Sequence, residues 1–249
     1  MLVLGLTPSN ATASAAEKPK CDLAIAETVT VTSANAFDAV RLKDLRTLRL
    51  ANIQMISHEP SAQQWLVSQL NQKEVQLAYD KRATDRDSKL VAQVYSLDRN
   101  VWLQAELVNA GYARVYSWPS IRACANTLLK LEAGARQAGR GLWAEPQNQI
   151  RTPEQLAATA GTFQIVEGRV RSVSIGRERS YLNFGENYRT DFTITISKRD
   201  MKLFTAAGID PKTYDGKNIR ARGWVGLLNG PEIEATHPEQ IELVAAPSK

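Results

Sequence analysis

The stretch Val40-Arg41-Leu42-Lys43-Asp44-Leu45-Arg46-Thr47-Leu48-Arg49-Leu50-Ala51-Asn52-Ile53 decides the fold. Apolar residues run or alternate on either side of the polar turn Lys43-Asp44-Leu45-Arg46. Alternation with period two marks a strand. The pattern predicts strands at residues 39–42 and 47–53, with another at 28–31, and hence a β-meander.

Outward from this meander, Ser61 after Pro60 predicts a helix cap, and Trp65, Leu66 and Leu70 fall on one helical face. Residues 75–79 read as a strand, 81–87 as a charged loop and 90–95 as a strand. A helix over 101–109 is closed by Gly111, and 112–116 is extended. The longest helix is expected over 121–138, with Leu128, Leu131 and Ala135 spaced for burial. Gly139-Arg140-Gly141 ends it, and Leu142-Trp143 docks back as an apolar plug. Trp65, Trp102 and Trp143 are expected in the core.

The 249 residues suit two small domains better than one large one. Composition shifts over residues 145–161, where Pro146, Asn148, Pro153 and several alanines place the boundary. Beyond it, 163–173 reads as a long strand with a bend at Gly168, and 181–184 as a strand before the turn Gly185-Glu186-Asn187. Phe192, Ile194 and Ile196 alternate on one face, and a short helix over 200–207 stops at Gly208. Strands at 217–225 and 233–234 flank Asn229-Gly230-Pro231, and 241–244 forms the last. Three strands, a helix and two or more strands suit a five-stranded barrel of the OB type. The expected fold class is mainly β with helices.

The net charge of +5 is spread as +3 over residues 1–150 and +2 over 151–249, so no basic tail demands a polyanion. No stretch approaches the length of a transmembrane helix. Residues 1–6 are apolar, and Thr12-Ala13-Ser14-Ala15-Ala16 looks like a signal-peptidase site with Ala13 and Ala15 in an A-x-A pattern. Two readings stand for residues 1–20: a shortened secretory signal, or a flexible terminus. The first implies a periplasmic or secreted protein. Cys21 and Cys124 are the two cysteines, an even count that suggests one disulfide in an exported chain; two separate buried thiols are the alternative. With no C-x-x-C pair and with His58 and His237 far apart, no zinc site is expected.

The meander resembles the second and third strands of the staphylococcal nuclease (thermonuclease) family. Three later segments agree: Asp85-Arg86-Asp87-Ser88-Lys89-Leu90-Val91-Ala92-Gln93-Val94-Tyr95 with its phosphate-clamp loop and strand, residues 101–115 with its second helix, and residues 128–143 with its last helix and Leu-Trp plug. Residues 21–145 are thus expected to form a thermonuclease-like barrel with three helices, followed by a linker at 146–161. The segments Tyr181-Leu182-Asn183-Phe184-Gly185, Asp191-Phe192-Thr193 and Arg220-Ala221-Arg222-Gly223-Trp224 resemble an OB-like domain, here 162–249, attached to thermonuclease-like proteins of bacterial envelopes.

The resemblance implies phosphodiester cleavage with one Ca2+ held by carboxylates, a glutamate acting on water and two arginines on the phosphate. Carried over, the family's Asp-Gly-Asp-Thr turn reads Ala36-Phe37-Asp38-Ala39, which keeps Asp38 alone. The first clamp arginine falls on Arg49, and the second on Lys89, which keeps charge without the guanidinium fork. The Asp-x-x-Glu stretch reads Gln54-Met55-Ile56-Ser57, so a metal carboxylate and the base are lost; Glu59 is a remote replacement base. In the bland reading, Arg49 pairs with Asp38 as a surface ion pair.

Three functions follow. The first is a catalytically degraded binding or scaffold module of the cell envelope, with a protein or polymer partner. The second is a nucleic-acid-binding module using Arg49, Lys89, Arg169, Arg171 and Arg179, with Arg177, Arg189, Tyr181, Phe184 and Tyr188 nearby. Strand alternation lets at most half of that second-barrel set face one ligand. The third is a weak Ca2+-dependent nuclease of DNA or RNA using Asp38, Arg49 and Glu59. Trp224 is open between core and stacking surface.

Overall fold

The computed structural model describes residues 19–34, 40–55, 60–80, 84–98, 100–187 and 189–244. The first half contains β1 (Ile25–Ala34), β2 (Val40–Leu42), β3 (Thr47–Leu50), β4 (Ile53–Met55), α1 (Pro60–Leu70), β5 (Glu74–Ala78), β6 (Leu90–Ser96), β7 (Val101–Trp102), α2 (Leu103–Asn109), β8 (Ala113–Val115) and α3 (Ala125–Gln137). The second contains β9 (Phe163–Arg169), β10 (Ser172–Ile175), β11 (Arg179–Asn183), β12 (Thr193–Ser197), α4 (Lys198–Ala206), β13 (Asn218–Leu228), β14 (Gly230–Glu234) and β15 (Ile241–Leu243).

Five strands of the first half close a ring. β1 pairs antiparallel with β2 and β5, β2 with β3, and β5 with β6, while β3 and β6 run parallel. Numbered within the barrel, the order is 1-2-3-5-4-1, and α1 lies between the third and fourth strands. The second half repeats that order. β10 pairs with β11, β11 with β12, β12 runs parallel to β14, and β13 pairs antiparallel with both β14 and β9. Because β9 runs on into β10, the chain itself closes this ring, and α4 again lies between third and fourth strands. Both halves thus have the strand order of an OB-type barrel, although no repeat is visible residue by residue.

The cores follow the alternation. Val40, Leu42, Leu48, Leu50, Val75 and Leu77 fill the first barrel, and Leu182, Ile194, Ile196, Ile219 and Ile233 the second. Every residue of β6 is buried, polar ones included. The Trp102 indole donates to Gln93 Oε1 (2.9 Å), and the buried Gln104 amide bonds Ala92 O and Val94 N, so these polar groups keep partners. Trp102 and Trp143 are buried, and Trp65 is half-buried against the core.

Several element limits differ from expectation. The strand expected over 47–53 breaks at Asn52, whose left-handed backbone (φ 62°) turns β4 away to pair with β8. Its side chain donates to Ala123 O at 2.7 Å, a distant contact that holds the turn. Val101 and Trp102 pair with β6 before α2 begins. α3 starts only after Cys124, whose φ of 70° is not helical and whose sulfur is bonded to Cys21. In the second barrel the strand beginning at Phe163 ends at Arg169 and resumes at Ser172. Gly168 is not the break: a Cβ there would stand 2.7 Å from Pro153 Cγ, so its smallness serves close packing.

Residues 146–161 are no loose tether. Leu156 is fully buried in the second core, and Arg151 N donates to Ile165 O. The Leu142-Trp143 plug does dock back, with Leu142 N on Gly111 O (2.9 Å). It also forms a small core with Phe163 and Ile165 of β9. At the same junction, the buried Arg222 of β13 reaches Glu132 of α3 at 3.0 Å, and the Ser117 hydroxyl meets His237 Nε2 at 2.7 Å. Among the described residues no helix is long and apolar enough to cross a membrane.

Candidate functional site

β3 carries Arg49 on the face opposite the core residues Leu48 and Leu50. The loop before β6 curls beneath it. Asp85 Oδ1 accepts the backbone N–H of Asp87 (2.9 Å) and of Lys89 (3.0 Å), a turn that an aspartate side chain stabilises locally. This leaves Asp85 Oδ2 at 3.2 Å from Arg49 Nη1, with Asp87 Oδ2 at 3.8 Å from Nη2. The guanidinium lies 5.9 Å from the Trp118 ring. These groups border a groove of about 790 Å³ whose lining includes Arg49, Gln54, Asp85, Arg86, Tyr116 and Trp118. Arg86, rather than Lys89, lines it.

The floor is set by β4 and β8. Their register places Gln54 opposite Arg114, and Arg114 donates from Nε (3.0 Å) and Nη2 (2.7 Å) to Gln54 Oε1. The same guanidinium stacks 3.9 Å from the centre of the Phe163 ring, across the junction between the barrels. Burial pushes the Arg114 pKa down, to about 10, which leaves it cationic at neutral pH. So Gln54, at the position where the family resemblance places a carboxylate, holds an arginine that braces the second barrel.

A calcium ion needs several oxygen ligands at once. Gln54 Oε1 is engaged by Arg114, and the two Asp85 oxygens face loop N–H groups and Arg49. Among the described residues no three of His, Cys, Asp and Glu gather to hold a metal. Asp38 and Glu59 lie outside the described residues. The expected ion pair between Arg49 and Asp38 is therefore not seen either way, and Asp85 and Asp87 are partners that the sequence reading missed. Their signal was the acidic pair in a loop one strand from Arg49.

The second-barrel arginines are not brought together. Arg169 donates to Gly216 O, and Arg171 pairs with the exposed Glu186. Arg177 and Arg179 stand at the other end of the β10–β11 hairpin, and Arg179 reaches Glu232 at 3.4 Å. Phe184 packs on Phe192 next to the core, Tyr181 is half-buried, and Tyr188 lies outside the described residues. The aromatic surface is elsewhere. Trp118 meets Tyr116 edge-on (5.3 Å), Tyr116 tilts on Phe163 (5.5 Å), and Phe163 meets Trp224 edge-on (6.3 Å). Trp224 is 51% exposed, which places it on a surface and not in the core.

Cys21 and Cys124 form a disulfide with a Cα–Cα distance of 5.1 Å, tying the segment before β1 to the start of α3. No curated protein matches the chain. Residues 39–145 match the family described as Staphylococcal nuclease homologue, so this groove lies on a staphylococcal nuclease-like domain joined to a second barrel of the same strand order.

Proposed function

We propose that this protein is a binding or scaffold module in which the nuclease-like groove has been rebuilt as structure. One observation carries this reading: the Gln54 amide oxygen is occupied by Arg114, and that arginine supports Phe163 of the second barrel. A metal carboxylate at that position would have to serve both the ion and the brace. The ion pairs from Asp85 and Asp87 to Arg49 support the same reading, because they compete with a phosphate for its fork. The Cys21–Cys124 disulfide supports a periplasmic or secreted location, since such bonds persist in oxidising compartments.

A divergent Ca2+-dependent phosphodiesterase is the second reading, favoured by the open groove that still presents Arg49. Cleavage of single-stranded DNA with and without calcium, beside an Arg49→Ala control, separates the two. The binding reading expects no calcium-dependent cleavage by either protein. Cleavage that needs calcium and disappears in the Arg49→Ala variant overturns it.

A further inference from the structure

Where the two barrels meet, a second groove of about 480 Å³ shares Tyr116, Trp118 and Pro119 with the first. Its lining includes the aromatic residues Phe163 and Trp224 together with Glu232 and Glu234. Its most unusual member is Trp224. A large apolar ring that is half in solvent costs hydration free energy, and such surface on an ordered protein marks a contact site. The ring is also held in place. Its Nε1–H donates to Tyr116 Oη at 3.2 Å, and Phe163 packs edge-on against it. A fixed indole loses little conformational freedom when a ligand covers it. Leu228, 42% exposed, continues the apolar surface on the same face of the strand.

The charge beside it is negative. β13 and β14 pair with Val225 opposite Ile233 and Gly226 opposite Glu232, so Trp224 and Glu234 flank the end of this ladder. The glycine at 226 leaves the space beside Glu232 open. Glu232 accepts from the Thr195 hydroxyl (2.5 Å) and pairs with Arg179, while Glu234 is exposed. The one arginine in the lining, Arg222, is 2% exposed, and both of its Nη groups are held by the Glu132 and Glu242 carboxylates. A polyanion would meet two carboxylates here, whereas a cation would meet carboxylates and an indole face, the ring that attracts cations most strongly.

We propose that this groove binds an extended basic segment of a partner polypeptide, with cationic side chains two residues apart. Glu232 and Glu234 point to one face of β14 with that spacing. An extended ligand chain rises about 3.3 Å per residue, so its alternate side chains repeat at the same interval. One cation sits between Glu234 and the Trp224 indole, the next meets Glu232, and a flanking apolar residue covers Leu228. The proposal rests on the binding reading above and gives it a class of partner.

The test uses the full chain and a capped hexapeptide of alternating arginine and alanine, titrated by calorimetry, beside its glutamate–alanine counterpart and a thymidine oligonucleotide. We expect saturable one-to-one binding of the arginine peptide alone, weakened by added salt. Glu234→Gln and Trp224→Ala should each weaken it about tenfold, with Arg171→Ala, at the far end of the second barrel, as the neutral control. Equal binding by the variants, no binding at millimolar peptide, or preference for the glutamate peptide or the oligonucleotide overturns the proposal. Because Trp224→Ala also removes a junction contact, Glu234→Gln decides if that variant unfolds. Absence of peptide binding leaves the cleavage result untouched, so this proposal and the binding reading fail separately.

Discussion

Replacing Glu132 with glutamine should destabilise the protein strongly. The Glu132 carboxylate is fully buried on α3 and accepts from Val115 N, from Arg136 Nη1, and from Arg222 Nη1 at 3.0 Å to both oxygens. Arg222 is itself 2% exposed. Burial disfavours its charge, and the Glu132 and Glu242 carboxylates more than offset that, holding its pKa above the ordinary value. The glutamine keeps the shape and one acceptor but removes the negative charge. Breaking a buried pair by neutralising one partner costs about 3–5 kcal/mol, because the other ion stays buried. At about 2–4 °C per kcal/mol for a chain of this size, the melting temperature should fall by roughly 6–20 °C. Urea unfolding of the two proteins, followed by circular dichroism, measures the difference. Removing both charges, as Glu132→Leu with Arg222→Met, should cost at least about 1 kcal/mol less than the two single changes added together. A Glu132→Gln loss below about 1 kcal/mol, or strict additivity in the pair, would refute the argument that Arg222 depends on this carboxylate.

His237, 1% exposed between Ser117 and Thr236, has its pKa lowered by burial to about 4, with the Glu239 carboxylate opposing and Arg122 reinforcing the shift. Below pH 6.5 the unfolded histidine takes up a proton that the buried ring refuses. Stability present above that pH should therefore fall by about 1.4 kcal/mol per unit toward pH 4; His237→Gln should flatten that part of a stability–pH curve, and an unchanged slope counts against it. Reduction of Cys21–Cys124 releases a loop with a sequence separation of 103. The chain-entropy argument puts the loss at up to about 4–5 kcal/mol, read as a lower urea midpoint with dithiothreitol, and an unmoved midpoint contradicts it.

The barrels were legible because their cores obey a period of two: Leu48 with Leu50, and Phe192, Ile194 and Ile196, are buried as the alternation requires. The limits at Asn52 and Cys124 were not legible. Both residues take left-handed backbone conformations held by contacts more than 70 residues away, to Ala123 and Cys21 respectively. Arg49 could be placed by its position in the strand, but its acidic partners come from a loop whose path local pattern does not define. At Gln54 the sequence registers only the loss of a carboxylate. The gain, a hold on Arg114, appears once β4 and β8 pair. Trp224 stayed open for a related reason: alternation assigns a residue to a face, and only the docking of the barrels decides whether that face is covered.

Arg222 belongs to the second barrel by sequence and to the first by burial. Among the described residues, Glu132 keeps only the Arg136 cation within its own half, and Arg222 keeps only the Glu242 carboxylate; the bond between them exists only when the halves are docked. The chain between the barrels is shared likewise, since Trp143 packs on β9 and Leu156 completes the second core. Two barrels by topology are therefore tied by a buried ion pair and a shared apolar core. The aromatic groove, lined by Tyr116 and Trp118 from one half and by Phe163 and Trp224 from the other, exists only where the barrels are docked.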